Sequence, residues 1–397
     1  MAGASAAYEA AGVNLEAGDN ASDAFYNITQ QSWRNRADEF GEPQVLGEGF
    51  RGARGVDLGR LFELKEKFPD LQVGRYSCAD GVGNKPRVAE RVDDFSTIGI
   101  DLAAMVVDDA AAAGAEPIGM TNILVVNTLG KKSDHPNKKE RIRKRVIDLA
   151  TGHVKGANQS KTVIENGEIA EHGDHVGGYG EFRIDWTAVA NYMFQPERII
   201  DGKKIKAGAA VVALADEGFG CNGYSLLLKT LEQVHGHEWH HVPFDDRTTW
   251  GEEALRPTQI YAGLFTELTG GWNPERAPAA DVQTLVHNTG GGIPGKFGSK
   301  LKGTGLGVEL DDLFELNPAM GKLQEYADID DDELYNVLHG GQRGFVVTST
   351  PDVVMHWAAI RGIASKIAGT IISKPEIIIH SKGRKQYGQK LTFPTKD

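Results

Sequence analysis

The sequence predicts an α/β (α+β) fold in two domains, and three observations carry that reading. At 397 residues the chain is long for a single hydrophobic core. Apolar, β-branched runs alternate along it with segments of helical periodicity. Near the middle, Gln195–Gly208 (QPERIIDGKKIKAG) is polar, contains Pro196 and two glycines, and separates halves of similar size. The expected domains are therefore residues 1–197 and 198–397.

The elements follow in order. Leu71–Cys78 reads as a strand that stops at the turn-forming pair Asp80-Gly81. Ile98–Gly114, apolar and alanine-rich, reads as a helix, and so does Arg141–His153. Short β-branched runs make Ile123–Thr128, Thr162–Glu165 and Trp186–Tyr192 strands. In the second half, strands are expected at Ala209–Ala215, Thr284–His287 and Phe345–Thr348. Helices are expected at Tyr224–Val234, Pro257–Leu268 and Val353–Ile363.

Composition narrows the function classes. A formal net charge of −12 opposes contact with nucleic-acid phosphates. No apolar run is long enough to span a bilayer, and the opening MAGASAAYEAAG lacks a basic stretch followed by an apolar core. A cytoplasmic protein without nucleic-acid or membrane partners is the expectation. Cys78 and Cys221 are too few for a disulfide framework or a cysteine-based metal centre. The basic run Lys131–Arg145 (KKSDHPNKKERIRKR) reads either as a solvated loop entering the polar face of a helix or as a grip on a substrate phosphate.

Glycine is abundant, at 49 residues, and clustered at Gly47–Gly55, Gly81–Gly83, Gly177–Gly180, Gly218–Gly223 and Gly290–Gly295. Such clusters let backbone N–H groups approach an anion, and several of them beside strand ends point to a phosphorylated ligand. No Walker A pattern occurs. Ala79–Lys85 (ADGVGNK) places a carboxylate, two glycines and a lysine at a strand end, a set able to hold Mg²⁺ with phosphate. The same residues also read as a surface turn.

In the helix from Ile98, Asp101 and Asp108 lie two turns apart on one face, with Asp109 beside them. Their apolar surroundings make burial costly without a compensating cation, which favours a metal role over an exposed helix edge. Glu165–His175 (ENGEIAEHGDH) is rich in oxygen ligands of the kind Mg²⁺ prefers, and reads equally as an exposed acidic loop. Gly218–Leu226 (GFGCNGYSL) opens an amphipathic helix whose free N–H groups suit a phosphate, although Asn222 and Ser225 also serve as plain caps. His287–Gly292 (HNTGGG) follows a strand, and three consecutive glycines favour a loop that wraps a ligand.

Taken in order, these segments resemble the phosphoribosylformylglycinamidine cyclo-ligase family from about residue 5 to about residue 375. Tyr8–Asp19 (YEAAGVNLEAGD) is similar to the family's YxxAGVDIxAGN opening. Ala79–Lys85 resembles DGVGTK, with Asn84 for threonine, and Gly99–Pro117 (GIDLAAMVVDDAAAAGAEP) resembles GIDLVAMxVNDxxxxGAEP. Asn166–Glu171 is similar to GGETAE, departing at Asn166 and Ile169. Gly218–Leu226 is similar to GPHSNGYSL, with Gly220 where histidine is usual. Leu255–Tyr261 (LRPTQIY) resembles LxPTRIY, and His287–Gly292 the HxTGGG loop. Leu334–Phe345 (LYNVLHGGQRGF) corresponds to MYxxFNxGxGM, with His339 for asparagine and Arg343 for a glycine. The segments around Lys131–Lys139, after Trp239 and at the C-terminus add length that the family does not usually have.

The resemblance implies two α/β domains, with the N-terminal sheets of two subunits joined across a homodimer. It implies ATP-dependent conversion of formylglycinamidine ribonucleotide to aminoimidazole ribonucleotide. Asp80, Asp101, Asp109 and Glu168 would hold Mg²⁺, and Lys85 would balance phosphate charge; Asp80, Lys85 and Asp109 form the implied catalytic set. ATP would lie against Gly47, Gly49, Gly52, Asp80, Gly81, Gly83, Lys85 and Asp101. Asn222, Gly223, Thr289, Gly290, Gly291 and Gly292 would face the substrate's ribose phosphate. Two other readings share these motifs: a thiamine-phosphate-kinase-like enzyme and a non-catalytic nucleotide-binding paralogue. The opening segment and LRPTQIY favour the cyclo-ligase.

Overall fold

The computed structural model describes residues 15–37, 52 and 58–395. They form two compact units. One holds the described residues up to Asp70 together with Tyr76–Val107 and Pro117–Tyr192. The other holds Leu71–Arg75, Asp108–Glu116 and the described chain from Met193 onward.

In the order of the chain, the first part comprises α1 (Leu15–Thr29), α2 (Leu58–Lys67), β1 (Gly74–Gly81), α3 (Pro86–Val92), α4 (Ile98–Ala111), β2 (Glu116–Val126), α5 (Pro136–Ser160), β3 (Val163–Glu171) and β4 (Ile184–Phe194). The strands form one sheet in the order β1-β4-β2-β3. β2 and β3 run parallel, which requires a crossover, and the 25 residues of α5 supply it. β4 shows the period of two that a half-covered sheet imposes: Ile184, Trp186 and Ala188 are buried while Asp185 and Thr187 are exposed. The Trp186 indole lies 5.3 Å from the His153 ring and donates its N–H to Asn122 Oδ1 at 3.0 Å.

α4 is buried continuously from Ile98 to Asp108 because its circumference is apolar apart from Asp101 and Asp108. Its crossing with α5 depends on residues without side chains. A Cβ on Gly99 would overlap the backbone of Gly152 and His153, and one on Gly156 would stand 2.5 Å from Ala103 Cβ. Gly99→Ala is therefore expected to destabilise the protein by about 1–3 kcal/mol through overpacking. A shift of the urea midpoint to lower concentration checks this, and an unchanged midpoint contradicts the crossing.

The second unit contains β5 (Ala210–Ala215), α6 (Tyr224–His235), α7 (Trp250–Ala254), α8 (Ala262–Thr269), β6 (Val282–His287), α9 (Gly292–Leu301) and β7 (Gly307–Leu310). It continues with α10 (Pro318–Ala327), α11 (Asp331–Val337), β8 (Gln342–Thr348), α12 (Pro351–Ile360), β9 (Ser365–Ile372), β10 (Glu376–His380) and β11 (Lys390–Pro394). Seven strands make one sheet in the order β11-β10-β7-β9-β5-β8-β6. β5 is antiparallel to both its neighbours, and its residues Val211–Leu214 are completely buried.

Several expected elements change extent, among them Arg141–His153, which lengthens to Pro136–Ser160, and Thr162–Glu165, which becomes Val163–Glu171; two further changes have a local cause. The helix read over Pro257–Leu268 starts only at Ala262, because Asp108 Oδ1 accepts the Tyr261 and Ala262 N–H groups and fixes the helix start there. The strand read at Ile123–Thr128 extends back to Glu116, where Pro117 and Gly119 had disguised it. A Cβ on Gly119 would meet the Glu165 carboxyl, which would have to swing aside. Among the described residues, no helix is long and apolar enough to cross a membrane. Cys78 is half-buried and Cys221 buried.

Candidate active site

In the second unit, strand register gathers the chemistry at one end of the sheet. Ala215, ending β5, lies opposite Gln342 of β8, and His287, ending β6, lies opposite Gly344. The loops leaving these ends are cross-tied: Asn288 N–H donates to Arg343 O at 2.7 Å, and Asp216 N–H to Gly341 O at 3.0 Å. Both glycine-rich loops abut α11 and the residue after it. A Cβ on Gly292 would collide with Tyr335 O, and one on Gly223 would stand 2.5 Å from Leu338 Cδ2. Their φ values of 62° and 80° exclude most side chains in any case. Asn222, Gly223, Thr289, Gly290, Gly291 and Gly292 are thereby brought to the flanks of one short segment, with Gly290 and Gly291 exposed.

Asp109, in the last turn of α4, meets His287, whose Nδ1 lies 2.6 Å from Asp109 Oδ1. Burial, reinforced by the Arg343 charge, pushes His287 down to about 4, so the imidazole is neutral and its Nδ1–H donates. Burial is the largest influence on Asp109 and opposes its charge, but the hydrogen bond from His287 and the Lys296 and Arg343 charges together outweigh it and hold the carboxyl below its usual range. The His287 side chain is 1% exposed and that of Asp109 is 37% exposed. The carboxylate, and not the imidazole, is the group a ligand can reach.

Asp108 does something else. It is fully buried, its Oδ1 caps α8 through two N–H bonds of 3.0 and 2.8 Å, and burial pushes it up to about 7. The carboxylate that the sequence placed beside the metal candidates therefore fastens a helix.

Two departures from the family pattern sit against each other. Gly220 has φ 66°, and a Cβ there would lie 3.0 Å from Arg343 Nε. The missing side chain at 220 leaves room for the fully buried Arg343, whose Nη1 is 4.0 Å from Asp216 Oδ2. Asp216 is further held by the N–H groups of Gly218 and Gln259. His339, a third departure, accepts the Gly341 N–H at Nδ1, so its Nε2–H donates to Gly218 O at 2.9 Å.

In the first unit, Asp80 ends β1 with Oδ1 accepting the Gly81 N–H at 2.7 Å. Gly83, at φ 55°, turns the chain into α3. Lys85 does not project from this turn. Its Nζ donates to Asp101 Oδ1 at 2.7 Å, and both side chains are fully buried. Lys85 and Asp101, expected to meet phosphate and metal, here pair with each other: a buried ammonium requires a buried counter-ion, and each supplies the other's.

Glu168 is exposed on β3, opposite Ile123 of β2, and two strands lie between β3 and β1 in the sheet. Among the described residues, Asp80, Asp101 and Glu168 form no group of ligand atoms within 4.8 Å. Gly47 and Gly49 lie outside the described residues, and Gly52 is buried. Within the basic run, Arg145 pairs with Asp93 at 2.6 Å and Glu181 at 3.0 Å, which accounts for that charge without a phosphate.

Comparison with known proteins decides the family. The phosphoribosylformylglycinamidine cyclo-ligase of Bacillus pumilus is 32% identical over 349 residues, covering 88% of this chain and 89% of that protein. The chain belongs to the phosphoribosylformylglycinamidine cyclo-ligase family. Members are ATP-dependent ligases of purine biosynthesis. A second cyclo-ligase, from an Exiguobacterium species, is 32% identical over 379 residues and covers 94% and 97% of the two chains. Residues 72–190 match the family described as AIR synthase related protein, N-terminal domain. A thiamine-monophosphate kinase from Stenotrophomonas maltophilia shares the fold of this cyclo-ligase-family chain at a TM-score of 0.56. Its sequence identity is 14%, over 90% of this chain and 96% of that one.

His287 had no role assigned from sequence. Its signals were its place at the end of an apolar strand and its position as the first residue of HNTGGG, the segment that resembles the HxTGGG loop.

Proposed function

We propose that the chain closes the imidazole ring of formylglycinamidine ribonucleotide to give aminoimidazole ribonucleotide, converting ATP, taken up with Mg²⁺, to ADP and phosphate. The formamide oxygen is a poor leaving group. Phosphoryl transfer to it makes an iminophosphate, an internal nitrogen of the substrate attacks that carbon, and the oxygen departs as phosphate. Such a reaction demands charge neutralisation and positioning, and no protein nucleophile.

The observation that carries the reading is the Asp109 carboxylate, ionised, reachable, and oriented by the neutral His287. Asp109 is proposed as a Mg²⁺ ligand with His287 as its positioning residue. Asp80 and Glu168, the other two metal candidates of the first unit, are proposed to share in Mg²⁺ binding. Lys85 and Asp101 are proposed to order the Asp80–Lys85 turn. The loops at Asn222–Gly223 and Thr289–Gly292 are proposed to receive the ribose phosphate, with N–H groups at the starts of α6 and α9 as donors.

A cytoplasmic homodimer pairing through the four-stranded sheet is part of the proposal. The strands of that sheet expose the large apolar side chains Tyr76 and Ile123, which supports it.

The test is direct. Purified protein with Mg·ATP and formylglycinamidine ribonucleotide should release ADP and form a diazotisable aminoimidazole. ADP release with thiamine phosphate instead would establish the kinase reading. ATP binding without turnover of either substrate would establish a nucleotide-binding paralogue.

A further inference from the structure

The stretch His235–His241 (HGHEWHH) carries four of the chain's twelve histidines and lies where the sequence acquires length unusual for the family. The fold fixes it firmly. Trp239 is completely buried, and a single 3₁₀ turn, Trp239–His241, is closed by N–H bonds from His241 to Glu238 O and from Val242 to Trp239 O, both 3.0 Å. Adjacent residues in such a turn usually diverge. Here Glu238 Oε2 lies 3.6 Å from His240 Nε2 and 3.8 Å from His241 Nε2. The two imidazole centroids are 4.1 Å apart. The three ligand atoms all fall within 4.8 Å of one another, the one such group of His, Cys, Asp and Glu among the described residues.

These separations fit a common metal. Ligands about 2.1 Å from a tetrahedral ion stand roughly 3.4 Å apart, so the two edges through Glu238 need to contract by only a few tenths of an ångström. His240 forms a buried base at 1% exposure, whereas Glu238 and His241 are 59% and 72% exposed and can close over an ion arriving from solvent. Two nitrogens and one carboxylate oxygen suit a borderline ion such as Zn²⁺ and suit Mg²⁺ poorly, since Mg²⁺ prefers oxygen throughout. An ordinary ion pair explains one histidine beside Glu238 but gives no reason for two ring nitrogens to approach the same oxygen.

We propose that Glu238, His240 and His241 bind a divalent transition-metal ion, with Zn²⁺ the fitting case, through three protein ligands and a fourth position open to solvent. The site is separate from the carboxylates proposed for Mg²⁺. The experiment uses the full chain, stripped of metal by chelator dialysis, with Zn²⁺ alone as probe and a chromophoric chelator as competitor. One equivalent should bind. His241→Ala and Glu238→Gln, both at exposed positions and checked for an unchanged circular dichroism spectrum, should each weaken binding at least about tenfold. Co²⁺ in place of Zn²⁺ should give visible absorption bands of four-coordinate intensity that His241→Ala abolishes. Failure of the parent chain to retain Zn²⁺ against the competitor would overturn the proposal. So would equal affinity in parent and both variants, which would put the ion elsewhere.

Discussion

Asp109→Asn is expected to lower kcat by about 10²–10³-fold, the range seen when one preorganised electrostatic group is removed from a phosphoryl- or acyl-transfer site. The fold should survive, because asparagine keeps the shape and an oxygen that can accept the His287 Nδ1–H, and the side chain is 37% exposed. What disappears is the charge. His287→Leu should act through Asp109 and not through substrate. It frees the carboxylate to rotate, so the Mg²⁺ concentration for half-maximal activity should rise roughly 10–100-fold, with rate partly recovered at high Mg²⁺. His287→Gln, which retains a donor, should fall between. A role confined to packing would lower stability without moving the Mg²⁺ dependence. The pH profile supplies a further check: His287 stays neutral down to about pH 4, and Asp109 stays ionised through the carboxylate range. The rate should therefore show no inflection from this pair near pH 6.5, where a free imidazole would titrate. Unchanged kcat in Asp109→Asn at saturating Mg²⁺ would remove that residue from the site.

Much of the fold was readable because its signals are local. β4 and β5 announce themselves by alternation and by β-branched runs, and α4 by an apolar stretch too long for a strand. β9, β10 and β11 were not foreseen. Ser365–Ile372 carries a lysine and a glycine, and Lys390–Pro394 is an edge strand that buries only Leu391, so neither shows a strong pattern. The site divides in the same way. Glycine loops are legible because a positive φ or a close approach leaves few alternatives to glycine, as at Gly223 and Gly292. Partnerships are not legible. Asp109 and His287 are 178 positions apart, and only the register of β6 against β8 brings His287 to its end of the sheet. Lys85 and Asp101 each looked like a ligand for something outside the protein, because sequence shows a charge and not its counter-charge.

The same blindness hid the relation between Gly220 and Arg343, and that relation yields the second large effect. Read one at a time, glycine for the family's histidine and arginine for its glycine look like two losses. In space they are one exchange, since the guanidinium occupies the room that a side chain at 220 would need. Gly220→His alone should be strongly destabilising. It places a Cβ at φ 66°, which costs about 1–2 kcal/mol, and drives it against a fully buried side chain. Arg343→Gly alone should cost about 3–5 kcal/mol, because it strips a buried cation from beside Asp216 and leaves that carboxylate without its charge partner. The double variant restores both family residues. Its stability loss should be smaller than the sum of the single losses by at least about 1 kcal/mol, since the imidazole can enter the space the guanidinium vacates and replace part of its charge. Chemical denaturation of the four proteins measures the coupling. Strict additivity would mean that the two sites do not sense each other, and the exchange would then be a coincidence of two independent changes.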